Sequence, residues 1–327
     1  MSAPLRAPLP GVAAERPEWT TRQERGSVRL IRLMTWLSLV LGRRVSRLLV
    51  YGIAAYFFVS SPAAARASRD YLRRALGRPP TALDGYRHIL SFASTIHDRV
   101  YLLNGRNDLF DIEIHGRDLA VDAIANGRGA FLMGAHMGSF EVIHALGRQT
   151  EGVRAAMVMF EENARKIAGM VNAVNPRLRQ TIIPLGRIDS MLNVEQALDD
   201  GMFVGVLGDR TFTKDVSVHC DFLGDAVALP ASPFRMAAVL RRQVIFMAGL
   251  YLGGNRYAVH FEPLADFSAT PRAERAAAID AAIHRYAMLL ERHCRAAPYN
   301  WFNFFDFWAP QTATSPPPRS PARGADA

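Results

Sequence analysis

Hydrophobic patterning divides the chain into a very apolar opening, a pair of amphipathic helices, and a long stretch of alternating short apolar runs. From Leu30 to Val59 the sequence reads LIRLMTWLSLVL, then GRRVSR, then LLVYGIAAYFFV. Each apolar run is 12 residues long, and the arginine-rich break lies between them. A helix that crosses a bilayer needs about 20 apolar residues. One span through both runs would place Arg43, Arg44 and Arg47 at the bilayer centre, which is costly. Two shorter helices lying in the membrane interface, with snorkelling arginines, fit better. Two buried core helices are the plain alternative.

Residues 64–105 then read as helical. AAARASRDYLRRALG stops at Gly77 before Pro79-Pro80, and a second helix is expected to start at Asp84 as its N-cap and end at Gly105. Beyond this the period changes. DIEIHG (111–116) alternates like a strand, and apolar runs recur at 129–136, 154–160, 181–185, 202–208 and 244–252. Another alternating segment covers 256–264, helical segments cover 187–200 and 233–242, and a long helix covers 271–298. Strands alternating with helices predict an α/β fold: a mostly parallel central sheet flanked by helices, preceded by membrane-associating N-terminal helices. The expected organisation is a disordered segment at 1–24, basic apolar helices at 25–80, a catalytic domain at 81–310 and a disordered Pro/Ser/Ala tail at 311–327.

Charge sharpens this division. The chain of 327 residues carries a formal charge of +9. Residues 1–80 hold 14 Arg, no Lys and 4 acids, a balance of +10, and the remainder is close to neutral. A nucleic-acid binder should carry its basic patch on the folded body, so the distribution favours an anionic membrane surface facing the N-terminal region. Cys220 and Cys294 make no disulfide framework and no metal-type spacing, which points to a reducing compartment. The opening MSAPLRAPLPGVAAERPEW lacks the apolar core of a secretory signal.

Ligands of open α/β sheets sit beyond the carboxyl ends of the strands. One such end is Gly134-Ala135-His136-Met137-Gly138-Ser139-Phe140-Glu141. His136 leaves its strand among small residues, and Gly134 and Gly138 allow backbone or a ligand to come close. Glu141, five residues on, could hold one ring nitrogen of His136 and leave the other free to take a proton. The His-x4-acid spacing alone carries little weight, because nine His predict about one chance match in a chain of this acidity; the position after an apolar run carries more. A second strand end is Gly208-Asp209-Arg210. Arg210 suits a phosphate or carboxylate, and Asp209 could orient Arg210 or serve as a second partner for His136. There is no Gly-x-Ser-x-Gly, P-loop or dinucleotide fingerprint. A metal held by His136, Glu141 and His144 lacks a fourth ligand and is set aside.

These segments carry a resemblance. GAHMGSFEV (134–142), GVLGDRTF (205–212), Asp221-Phe222-Leu223-Gly224 and Pro230 follow one another as in the lipid A biosynthesis acyltransferases of the lysophospholipid-acyltransferase-like superfamily. The similarity spans roughly residues 25–310. It implies an acyltransferase at the cytoplasmic face of the bacterial inner membrane. It implies an acyl thioester donor, on acyl carrier protein or coenzyme A, as co-substrate and no bound cofactor. The acceptor would be a hydroxyl of a membrane lipid or glycolipid such as a lipid A precursor. On this reading His136 and Glu141 are catalytic, and Gly134, Gly138, Ser139, Asp209 and Arg210 contact substrate. Two departures stand out. Ala231-Ser232-Pro233 replaces the usual Gly-Pro-Ala after the proline, and Tyr299 to Trp308 holds seven aromatics and no base. The second resembles variant members near aryl-polyene pathways, so a different acceptor, such as an aryl-polyene lipid or a glycerophospholipid, is the alternative. A non-enzymatic membrane adaptor is the competing class.

Overall fold

The computed structural model describes residues 28–149, 153–178, 180–210 and 216–309. The ends expected to be disordered, 1–24 and 311–327, lie outside these, as do Thr211 and Phe212. Helix α1 (Val28–Ser60) is two helices joined at Gly42, whose φ of 74° and ψ of 163° break the helical path at the arginine-rich segment. Helices α2 (Pro62–Leu76) and α3 (Ala82–Leu103) follow. The N-cap of α3 is Thr81. Asp84 is not the cap but its reciprocal partner: the Thr81 hydroxyl accepts the Asp84 N–H and the Asp84 carboxylate accepts the Thr81 N–H.

The strands are β1 (Asp111–His115), β2 (Ala130–Gly134), β3 (Ala155–Phe160), β4 (Thr181–Leu185), β5 (Phe203–Leu207), β6 (Ser217–Phe222), β7 (Asp225–Pro230), β8 (Gln243–Gly253) and β9 (Arg256–Asp266). Seven form one sheet in the order β1-β9-β8-β2-β5-β3-β4. All neighbours are parallel except β8 and β9. Further helices are α4 (Arg117–Ala125), α5 (Phe140–Gln149), α6 (Glu161–Val174), α7 (Ser190–Asp199), α8 (Ser232–Val239) and α9 (Arg275–Ala296). Strand side chains alternate between faces, and both faces are covered. Phe131 and Met133 of β2 with Phe246 of β8 pack under α2, α7, α8 and α9. Leu132 with Ile245 and Met247 packs under α3, α4 and α5. Burial on both sides explains why β2, β5 and β8 read as continuous apolar runs.

The hairpin β6–β7 is separate from the main sheet. Its turn residues Leu223 and Gly224 both have positive φ, 55° and 90°. A two-residue turn needs this, but leucine is a poor signal for it, so the sequence pattern shows no hairpin here.

The arginines of the α1 break do not all face a membrane. The Arg43 guanidinium donates to both carboxylate oxygens of Asp98 on α3, at 2.8 and 2.9 Å, and to the Gly254 carbonyl at 2.6 Å. Arg47 donates to the same carbonyl at 2.7 Å and to the Tyr251 hydroxyl. Asp98 is fully buried and also accepts from the Tyr257 hydroxyl at 2.8 Å. These two arginines tie α1 to α3 and to the β8–β9 turn, in place of the expected snorkelling. Arg43→Ala leaves the Asp98 charge buried with one donor, a change that costs about 3 kcal/mol or more. The expected result is a lower urea midpoint at unchanged m-value, with part of the loss restored by Arg43→Ala/Asp98→Asn.

Candidate active site

Two neighbouring parallel strands build the centre of the site. In their register Gly134 of β2 lies opposite Leu207 of β5. Two residues past each, His136 and Asp209 leave the sheet side by side. The His136 Nδ1 lies 2.8 Å from one oxygen of Asp209. The other oxygen accepts the His136 backbone N–H at 3.0 Å, the Trp301 indole N–H at 3.0 Å and the Asn303 amide at 2.9 Å. The Asp209 side chain is fully buried. A buried carboxylate is tolerated only when its lone pairs are met, and here four donors meet them.

The partner expected for His136 was Glu141. The structure gives Nδ1 to Asp209 instead. Glu141, in the first turn of α5, is ion-paired at 2.7 Å with Arg99 of α3, and the Ser139 hydroxyl lies 3.4 Å from its other oxygen. The reason is positional. His136 stands at the mouth of β2 beside β5, whereas Glu141 has already turned onto α5 and faces α3.

The turn between β2 and α5 is held tightly. Gly138 has φ of +60°, and a Cβ there would come 1.9 Å from the Gly249 carbonyl oxygen. The glycine therefore admits backbone. The Met137 N–H donates to Ala135 at 2.6 Å, that of Gly138 to Asn300 at 2.8 Å and that of Ser139 to Gly249 at 2.7 Å. The Gly134 carbonyl accepts from the Tyr286 hydroxyl and from the Gly208 N–H. Gly134, Gly138 and Ser139, expected at substrate, thus all make contacts that shape the turn.

Residues 300–303, at the start of the aromatic run, are part of the site. Met137 and Trp301 form an antiparallel bridge, and the Phe302 N–H donates to the His136 carbonyl at 2.7 Å. Asn300 anchors the segment to β8 through both its amide oxygen and nitrogen, bonded to the Tyr251 backbone. Asn303 donates to Asp209 and accepts from Arg210 Nε at 2.8 Å. The Arg210 guanidinium also lies over the Phe305 ring, 5.5 Å from its centre. One signal in the sequence pointed here: asparagines inside an aromatic run are buried, and buried amides need partners.

The protonation states follow from these contacts. Burial, and then the charge of Arg210, lower the His136 pKa below the ordinary imidazole value, against the pull of Asp209. Burial pushes Asp209 up, but the neighbouring His136 and Arg210 outweigh it and hold the carboxyl well below the usual range. Burial brings Arg210 down to about 10, so it remains a cation at neutral pH. At pH 7 the dyad is a neutral imidazole with an ionised carboxylate. The carboxylate fixes the proton on Nδ1 and leaves the Nε2 lone pair available. Nε2 has no hydrogen bond among the described residues, and the ring is 29% exposed.

This is an imidazole held by a buried carboxylate at a strand end, and residues 93–309 match the model of the bacterial lipid A biosynthesis acyltransferase family. The chain belongs to that family. The match begins within α3, so α1 and α2 lie outside it. No curated protein matches the sequence. The family supports an acyl-group transferase, and the fold around His136 is the expected mixed α/β one with a mostly parallel sheet. Asp209→Asn should cut kcat on the order of a thousandfold, because an amide neither fixes the imidazole tautomer nor stabilises its cation. The measurement is thiol release from acyl thioester, with the melting temperature as a control for folding.

Proposed function

We propose that the protein transfers a fatty acyl chain from an acyl thioester, on acyl carrier protein or coenzyme A, to a hydroxyl of a membrane lipid or glycolipid such as a lipid A precursor. The observation that carries this reading is the Asp209-held His136 with its Nε2 open, in a chain of this family. The acceptor hydroxyl gives its proton to Nε2 as its oxygen attacks the thioester carbonyl. Asp209 stabilises the imidazolium that forms. When the tetrahedral intermediate collapses, the carbon–sulfur bond breaks and the imidazolium returns the proton to the departing thiolate. The products are an ester and a free thiol. No acyl-enzyme is needed: Cys220 and Cys294 are buried, and burial raises both thiols, Cys220 to about 11.

The N–H groups of Met137, Gly138 and Ser139 already donate to carbonyls, so they are poor candidates for the oxyanion. Arg210 is the better one, because its charge reaches His136 and it remains cationic. Arg210 also suits a phosphate of the acceptor or of the donor's phosphopantetheine.

For location, the reading is peripheral attachment to the cytoplasmic face of the bacterial inner membrane through α1. No single described helix is long and apolar enough to cross a membrane. Of the 25 large apolar side chains exposed among the described residues, 12 lie on α1, including Trp36 at 59%, Leu48 at 68% and Val59 at 80%. Exposed apolar clusters of this kind mark an interaction surface, and Arg32 and Arg44 on α1 and Arg66 and Arg69 on α2 stand exposed beside it in the chain.

A second reading concerns the acceptor. Phe302 and Phe304 pack with Phe92, which is itself 38% exposed, beside the strap that touches His136. This basic-free aromatic patch favours an acceptor without a phosphorylated sugar, such as an aryl-polyene lipid. Mass spectrometry of envelope lipids from a deletion strain separates the two acceptors.

His136→Ala is expected to lower turnover at least about a hundredfold, the low end for a general base. Because the His136 pKa is depressed, activity should hold as pH falls to the usual imidazole value of about 6.5 and decline only below it. An acid limb centred above that value, or wild-type turnover by the alanine variant, rejects the mechanism. For the membrane, Trp36→Asp/Leu48→Asp/Val59→Asp should bind anionic phospholipid vesicles at least about tenfold more weakly in flotation, since each buried side chain of this size contributes about 1.5–3 kcal/mol.

A further inference from the structure

Around β9, two strands away from β2 and His136, three histidines from β1, β9 and α9 stand in a row. The His115 ring lies flat on His260, with centres 4.5 Å apart and an angle of 12°. His260 is 4.8 Å from His293 of α9, and His293 stacks on Phe246 at 5.4 Å. Glu262 lies two residues from His260 on the same strand, and so on the same face. One of its oxygens is 2.6 Å from His293 Nε2, and the other is ion-paired with Arg292. One donor atom each from His260, Glu262 and His293 lies within 4.8 Å of the other two.

We propose that His260, Glu262 and His293 form a Zn2+ site that clasps α9 to the β9 edge of the sheet. Two imidazoles and a carboxylate are a donor set suited to zinc. In a tetrahedral site with bonds of about 2.0–2.2 Å, donors stand about 3.4 Å apart. Small side-chain rotations reach this from the present spacing. The carboxylate oxygen that faces His293 would turn to the metal, while the other keeps Arg292 as an outer partner.

The His293–Glu262 pair alone does not account for His260. That ring is half-buried and makes no hydrogen bond among the described residues. A shared cation would give this ring a partner within the cluster. Burial and the neighbouring His293 and His115 hold His260 at about 4, and burial lowers His293 too, so both are neutral at pH 7 and can ligate. Stacking on Phe246 fixes the His293 ring. His115, which stacks on His260, is itself 45% exposed and lies 3.2 Å from Glu113 through Nε2. The clasp would steady the helix whose Tyr286 hydroxyl holds the Gly134 carbonyl at 2.9 Å.

The test uses the full chain, stripped with chelator and titrated with Zn2+ in equilibrium dialysis. One Zn2+ per chain and a higher melting temperature are expected. His260→Gln and His293→Gln should each bind at least about tenfold more weakly, while His284→Gln, on the exposed face of α9, binds as wild type does. His260 makes no hydrogen bond, so its variant should fold even if the His293 variant does not. No stoichiometric Zn2+, or equal binding by wild type and His260→Gln, overturns the proposal and leaves a His–Glu pair only.

Discussion

A single buried carboxylate organises the candidate active site of this protein. Asp209 has no contact with water and four donors around it, two from His136 and two from the 300–303 strap. An ionised group in that position would be very unfavourable alone. Its presence therefore constrains everything that serves it. Strand β5 must neighbour β2 in the register that sets His136 beside it. The turn after β2 must direct the His136 N–H inward. The 300–303 strap must close over both, because it supplies two of the donors. The imidazole is positioned as a consequence of satisfying the carboxylate.

Much of this was legible in the sequence, and the missing part has a physical cause. The apolar runs at 129–136 and 202–208 identify β2 and β5, because strands buried on both faces cannot alternate. Their Gly-ended exits identify His136 and Asp209 as groups at the same edge. Which acid holds His136 was not legible. Sequence proximity favours Glu141, five residues away, over Asp209, 73 away. Strand order decides between them, and strand order is a tertiary property. The hairpin β6–β7 was hidden by a leucine with positive φ. That conformation is tolerated where the Leu223 N–H meets the Glu291 carboxylate at 2.6 Å, a contact from a distant helix.

The N-terminal charge illustrates the same limit. An arginine-rich break between two apolar runs reads naturally as membrane contact. Two of its arginines instead serve the protein interior, since a kink at Gly42 turns them toward Asp98 and the β8–β9 turn. The apolar side chains that flank the break remain exposed, and they are too many for a surface that meets only water. Internal clamping and outward apolar display are compatible because the break separates them along one helix: polar groups anchor the helix from its middle, and its two arms present their apolar faces.

The close fit of the turn at 136–139 has a chemical consequence. Backbone donors at the head of a helix are a common way to hold a developing oxyanion. Here the first three after His136 are bound to carbonyls of the chain, one of them on the strap and one on β8. The turn has given those donors to rigidity. On the proposed mechanism, a transition state with negative charge on oxygen would be met by charge from another direction, and Arg210 is the cation whose charge reaches His136. Asn303 links Arg210 to Asp209 by accepting from one and donating to the other. The same amide therefore fixes the cation and the base-holding carboxylate in one geometry, so a shift in the strap would misplace both at once. That coupling gives a polar residue a place within a run of aromatics: packing could hold the strap, but an aromatic hydrocarbon could not present an acceptor to one partner and a donor to the other, as this amide does.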